Sequence, residues 1–437
     1  MRLIILTLLG LCTSQGKSQA LLGNLVQDVT GGVNNVVNGV RTGDDRDVCQ
    51  RDVYQEYRET QTSIHTTLYK QVAANTDNHF VFSPYTIWLT LSALAEGADP
   101  RIQANLLQFL NLPKDACVRK KFYGIALNVE QPSRDVSLLR KHELVLDESL
   151  RVNPSWQNLM RTTKLLGISF APMKTNAAAT SQQLARFISA RSNIALKGNS
   201  ILLDSLDYQG LWTTAFPAMG IRREPFYNDQ GQQVGAVNMM RMKKFVRIAH
   251  LPFMNAKVIE LPVGTDGRYK MLITVSLGDN IIKNAIEIFM GSILQIFALL
   301  KMSSIPIEVA VPQFVMTSEF DARPVLEEIG LDAFFKNPDA TSYVSYPPAL
   351  PGGFMQRVSI RVGPDGTRPP PEPNSNDVVS GLFNIASNTA TDFAAAVGHE
   401  FIANRPFMFG LFHMPSNTCL FAGAYARPIQ QKLTSIC

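Results

Sequence analysis

In Phe401-Ile-Ala-Asn-Arg-Pro-Phe-Met-Phe-Gly-Leu-Phe-His413, both alternating sets of side chains are apolar. Phe407, Phe409 and Leu411 fall on one side, Met408, Gly410 and Phe412 on the other. A strand apolar on two faces is buried on two faces. Pro415-Ser-Asn417 reads as a turn and Thr418 to Ala426 as a last strand. Upstream, Val358, Ile360 and Val362 alternate with Ser359 and Arg361, the period of a half-buried strand. Between these strands runs a long polar segment, Gly363 to Asn404, which begins Gly363-Pro-Asp-Gly-Thr-Arg-Pro-Pro-Pro-Glu-Pro373. Four prolines in five residues cannot form a central strand, because each lacks the N–H that a ladder requires.

Toward the N-terminus the pattern turns helical. Tyr54, Tyr57, Ile64, Leu68 and Val72 share one helix face, and Ile87, Leu91, Leu94 and Ala95 make a second. The spacing predicts further helices near Val118 to Leu127, Trp156 to Leu166, Gln182 to Arg191 and Asp321 to Ile329. Strands are expected at Leu144 to Leu146, Ile201 to Leu203, Lys257 to Val263 and Tyr269 to Leu277, and from Ile305 strands dominate. Helices early and strands late imply an α+β fold with antiparallel sheets. No linker interrupts residues 49–432, so one large domain is expected there, followed by a short tail, 433–437.

The chain has 437 residues, 46% hydrophobic and 18% charged, enough for a sizeable core. A formal charge of +5, spread along the chain, gives no reason to expect nucleic acid. Met1-Arg2, the apolar run Leu3 to Cys12 and the small residues that follow read as a signal peptide over residues 1–20, hence secretion. Residues 21–48 are expected to be a flexible extension. No later stretch is expected to span a membrane; Ile281 to Leu300 comes closest, but Lys283, Asn284 and Glu287 interrupt it. Beyond the signal, Cys49, Cys117, Cys419 and Cys437 allow three disulfide pairings, and the sequence does not choose among them. A staple between Cys49 and Cys437 is one option.

Catalytic motifs are missing. There is no Gly-x-Ser-x-Gly, no His-Glu-x-x-His and no phosphate-cradling glycine loop, and the six histidines stand apart from one another. The chain is therefore not expected to be an enzyme, nor to hold a metal or cofactor. Arg119-Lys120-Lys121, with Arg134, Arg140 and Lys141 downstream, is a candidate polyanion patch or simply a solvated helix face.

Phe401-Ile-Ala-Asn-Arg-Pro-Phe-Met-Phe409 resembles the signature of the serpins, which follows their reactive loop. Phe82-Ser-Pro-Tyr-Thr-Ile87 is similar to the serpin stretch that opens the helix beneath the main sheet, with Ser83 and Thr86 at its two hydroxyl positions. Gln209-Gly-Leu-Trp212 resembles the strand end that carries the family's tryptophan where the loop enters the sheet. Phe226-Tyr-Asn-Asp229, Lys257-Val-Ile-Glu-Leu-Pro262 and Ile307-Glu-Val-Ala-Val-Pro-Gln-Phe314 fit in the same order. The resemblance runs from about Val53 to Pro428.

It implies the serpin fold: three β-sheets, eight or nine helices and an exposed reactive-centre loop, here about residues 363–400. It also implies a mechanism for the typical inhibitory member. A serine protease cuts the loop and is held as an acyl-enzyme while the loop inserts into the large sheet as a new strand. The hinge that enters first is Gly366, Thr367, Arg368, Pro369, Pro370, Pro371 and Pro373 in this chain. Gly366 and Thr367 fit the family pattern; prolines replace its run of small residues. Each lost ladder bond that strands a buried carbonyl costs roughly 1–3 kcal/mol. The prolines together therefore argue against loop insertion. Counting back from Arg405-Pro406 puts the scissile bond at Ala395-Ala396; counting forward from Gly366 puts it at Ser380-Gly381. No Lys or Arg lies between Arg368 and Arg405, which disfavours a trypsin-like partner. By alignment, Asp204 and Gln356 replace the polar Asn and His under the sheet-opening region. Two functions follow: a secreted, non-inhibitory binding or substrate-like protein, or an inhibitor of an extracellular chymotrypsin- or elastase-like protease.

Overall fold

Proline and short polar side chains set where several helices begin. Asp99, Asp115 and Asn153 each accept a backbone N–H of the first turn, from Arg101, Cys117 and Ser155, at 2.8–2.9 Å. Pro100 and Pro154 stand at the first helical positions, where a missing N–H leaves no partner wanting. The helices that follow are Pro100–Phe109, Ala116–Leu127 and Pro154–Thr163. Helix α1, Tyr54–Ala74, buries Tyr57, Gln61, Ile64, Leu68 and Val72, one face at three- and four-residue spacing. Helix α2, Pro84–Ala95, is buried on every side. Its capping residue, Ser83, accepts the Thr86 N–H at 3.3 Å.

The computed structural model describes residues 49–278, 282–368 and 400–428. The chain divides into two units, Met1–Asp52 and Val53–Cys437. Of the first, residues 49–52 are described, and they begin in a turn. The signal and the extension lie outside the described residues, as does the C-terminal tail.

Within the second unit, one sheet runs, edge to edge, through Phe80–Phe82, Thr418–Tyr425, Phe407–His413, Tyr269–Ser276, Ala256–Val263, Arg247–Leu251 and Lys301–Met302. Its central strands, Phe407–His413 and Thr418–Tyr425, are buried throughout, as their double apolar pattern requires. A four-stranded sheet orders Glu400–Ile402, Ile307–Pro312, Gln233–Lys244 and Ile221–Tyr227. The six-stranded sheet comprises β1 Val136–Asp147, β2 Gly167–Ala171, β3 Ser200–Leu211, β4 Phe314–Asp321, β5 Pro351–Val362 and β6 Gly366–Arg368, in the order β4-β5-β6-β3-β1-β2. Helix α2 packs against Thr418–Tyr425 and against β1 and β3, so the core lies between the two larger sheets.

Some boundaries move from their sequence positions. The helix expected at Gln182 to Arg191 is Ala177–Phe187, and the one expected at Asp321 to Ile329 is Arg323–Glu328, followed by the short helix Ala333–Lys336. The apolar run after Ile281 is long enough to cross a bilayer by composition. It is broken into Ile282–Phe289, a 3₁₀ turn and Ile293–Leu299, and it buries Ile282, Ala285, Ile286, Phe289, Ile293 and Ile296 in the core.

Candidate functional site

The loop begins later than its sequence suggests. After β5 the chain reverses within Gly363-Pro-Asp-Gly366, where the Gly363 N–H donates to the Gly366 carbonyl at 2.9 Å. Gly366–Arg368 then runs back as β6, a middle strand antiparallel to both neighbours. On one side Val362 faces Thr367 and Arg361 faces Arg368; on the other, Leu211 faces Gly366 and Gly210 faces Thr367. Gly366, Thr367 and Arg368, expected to start an exposed loop, are thus already inside the sheet top. Glycine is required at 366 because a Cβ there would stand 2.1 Å from the Gly210 carbonyl oxygen.

Trp212 holds this turn in place. Its indole N–H donates to the Gly363 carbonyl at 2.9 Å and its backbone N–H to Asp365 at 2.8 Å, while the Phe216 N–H donates to Pro364 at 2.9 Å. The sequence pointed to Trp212 and missed Gly363, Pro364, Asp365 and Phe216. Gly-Pro-Asp-Gly is a turn signature that was available for this.

Below β6 the sheet closes. β3 and β5 pair directly and in parallel, from Leu202 opposite Phe354 to Asp207 opposite Ser359. Four of the expected residues meet on the inner side of this seam, all fully buried: Ser83, Thr86, Asp204 and Gln356. The Gln356 amide donates to Asp204 Oδ2 at 2.7 Å, to the Ser83 carbonyl at 3.0 Å and to Thr86 Oγ1 at 3.0 Å. Its oxygen accepts the Ser83 N–H at 3.0 Å. The Thr86 hydroxyl donates to Asp204 Oδ2, and the Ser83 hydroxyl donates to the Leu420 carbonyl at 2.6 Å. One amide and one carboxylate therefore stitch β5, β3 and α2 together. Burial pushes the Asp204 carboxyl up to about 6, against the lowering effect of its hydrogen bonds from Gln356 and Thr86. Asp204 Oδ1 is buried without a hydrogen-bond partner among the described residues.

Three members of the basic cluster turn to structural partners. Arg119 is buried, its guanidinium paired with Glu96 at 2.5 Å and donating to the Pro113 and Lys114 carbonyls. Arg140 is engaged by Glu130 at 2.6 Å, and Lys141 donates to the Phe187 carbonyl. Lys120, on the same helix as Arg119, is exposed, and Lys121 is half-buried. Cys49 and Cys117 are each disulfide-bonded, and Cys419 is a buried free thiol. Pro369, Pro370, Pro371 and Pro373, both candidate scissile bonds (Ala395-Ala396 and Ser380-Gly381) and Cys437 lie outside the described residues.

A middle strand entering at the top of a sheet, a tryptophan-clamped turn and a polar seam above a buried helix describe a serpin-type scaffold. The family model "Serpin (serine protease inhibitor)" matches residues 59–428, and the chain belongs to this family. Serpin-Z4 of Arabidopsis thaliana is 22% identical over 400 residues, which cover 85% of this chain and 98% of that protein. Serpin A11 of Rattus norvegicus is 24% identical, with 86% and 88% covered. Among solved structures, human thyroxine-binding globulin in complex with thyroxine superposes with a TM-score of 0.71 at 15% identity, over 86% of this chain and all of that one. Serpins are mostly protease inhibitors rather than catalysts, and thyroxine-binding globulin shows the same fold serving a binding protein.

Proposed function

We propose that this chain is a secreted serpin whose loop does not insert fully, so that it acts as a binding protein or a protease substrate rather than as a mousetrap inhibitor. The observation that carries this reading is the sequence that follows the inserted strand: Arg368 is the last described residue of β6, and the proline block begins at Pro369. In a middle strand, successive N–H groups bond alternately to the two neighbours, so no register spares a proline. Continuing the observed pairing would set Pro369 between Tyr208 and Ile360, Pro371 between Leu206 and Val358, and Pro373 between Asp204 and Gln356. Those positions of β3 and β5, from Leu206 and Val358 down, now bond to each other. Insertion would replace a complete ladder with one lacking four donors, at roughly 1–3 kcal/mol for each.

Secretion rests on the signal-like residues 1–20 and on disulfide bonding at Cys49 and Cys117, which fits an oxidising compartment. A second reading, an inhibitor of a chymotrypsin- or elastase-like protease, is favoured by one observation: the sheet top already admits Gly366 and Thr367. In that case Ala395-Ala396 or Ser380-Gly381 is the bait. Incubation with each protease, followed by a denaturing gel, separates the two. Cleavage without a stable covalent adduct is expected; an adduct that survives the gel would establish the inhibitor.

A further inference from the structure

Asp204 is the acidic residue in a seam whose other members, Ser83, Thr86 and Gln356, are neutral. From β1, two basic side chains share its side of the sheet: Arg140 and, directly opposite in register, His142. Arg140 is bound to Glu130 and to the Lys164 and Leu165 carbonyls. The His142 imidazole is buried against the Leu165 carbonyl, and burial, followed by the Arg140 charge, holds it well below its usual range, so it stays neutral. β5 presents Phe354, Gln356 and Val358, and β4 presents Phe320, opposite Gln356. Helix α2 carries no charged residue, and the strand above it offers the Leu420 carbonyl to Ser83. No cation packed on this seam makes a hydrogen bond to Asp204 among the described residues.

We propose that the β3–β5 seam is a proton-controlled latch, held shut when Asp204 is protonated and loosened when it is ionised. An ionised carboxylate here is fully buried, with two hydrogen bonds on one oxygen and none on the other. That environment disfavours the charge. Parting the seam admits water to Oδ1 and relieves the penalty, so ionisation and parting favour each other by linkage. Protonation at Oδ1 leaves Oδ2 free to accept from both Gln356 and Thr86, and the closed seam loses a buried charge that the two hydrogen bonds and the Arg140 charge offset only in part. The raised titration of Asp204, to about 6, puts the change between neutral and mildly acidic solution. The latch concerns the uncut protein and does not depend on whether the loop inserts.

Amide hydrogen exchange on the uncut protein at pH 5 and pH 7.5, corrected for intrinsic rates, tests this. Amides of the Leu202–Asp207 and Phe354–Ser359 ladder are expected to lose about tenfold in protection on going to pH 7.5, a change set by the difference in Asp204 titration between the closed and solvated states. Amides of Leu272–Val275, in the other large sheet, should not change in parallel. Asp204→Asn should flatten the seam profile. A flat wild-type profile, or an Asp204→Asn profile as steep as the wild type, overturns the proposal. Should the variant fail to fold, the wild-type comparison between the two sheets decides alone.

Discussion

Asp204, Gly366 and Arg119 each occupy a position where one atom decides the outcome. The native carboxyl of Asp204 titrates above its ordinary value, so the folded state holds a proton that the unfolded state has released. This group's contribution to stability is therefore fully present below about pH 4 and is lost as the pH rises toward about 6. A gap of about two units corresponds to about 3 kcal/mol at most. Asp204→Asn is accordingly expected to stabilise the protein at pH 7.5 and to change little at pH 4, by urea denaturation at both values. Destabilisation at pH 7.5 would show that the charge is well accommodated. Arg119→Ala leaves the largely buried Glu96 without its cation, though still bonded by the Tyr123 hydroxyl, and is expected to cost about 3 kcal/mol. Lys120→Ala, on the exposed side of the same helix, should stay within about 0.5 kcal/mol. Equal effects in chemical denaturation would contradict the burial of Arg119. Its position was open to inference: Arg119 falls three and four residues before Phe122 and Tyr123, on the edge of the apolar face.

At the scale of elements, β6 is the piece that sequence could not supply. Gly366-Thr-Arg368 has no alternation, and its strand state exists because β3 and β5 part above Asp207 and Ser359. Its turn from β5 was legible as Gly363-Pro-Asp-Gly366, but its pairing with β3 joins residues far apart in sequence and leaves no local trace. The strands around it were legible because their apolar periods are long and their neighbours are turn residues. Gly366→Ala drives a Cβ into the Gly210 carbonyl and is expected to expel β6. The reading is the loss of exchange protection at Thr367 and Arg368; retained protection would mean that the sheet top yields without cost. Replacing Pro369, Pro370, Pro371 and Pro373 together with alanine restores four donors. After proteolysis of the loop, this variant is expected to melt well above its uncut form, and no gain would show that something other than the prolines limits insertion.

Across the whole molecule, the family and its layered sheets could be read from motifs spread over residues 82–409, because each is a local pattern with a fixed order. The state of the cysteines could not, since it depends on which chain segments meet. Nor could the fate of the basic cluster, which tertiary partners decide. The central claim is that the proline block stops the sheet from gaining a full new strand. It is tested most directly by the melting temperature of the wild-type protein before and after elastase-type cleavage of the loop. The account expects the two to agree within a few degrees. A rise of more than about 10 °C, on the order of what 5 kcal/mol or more of added stability gives in a domain of this size, would contradict it.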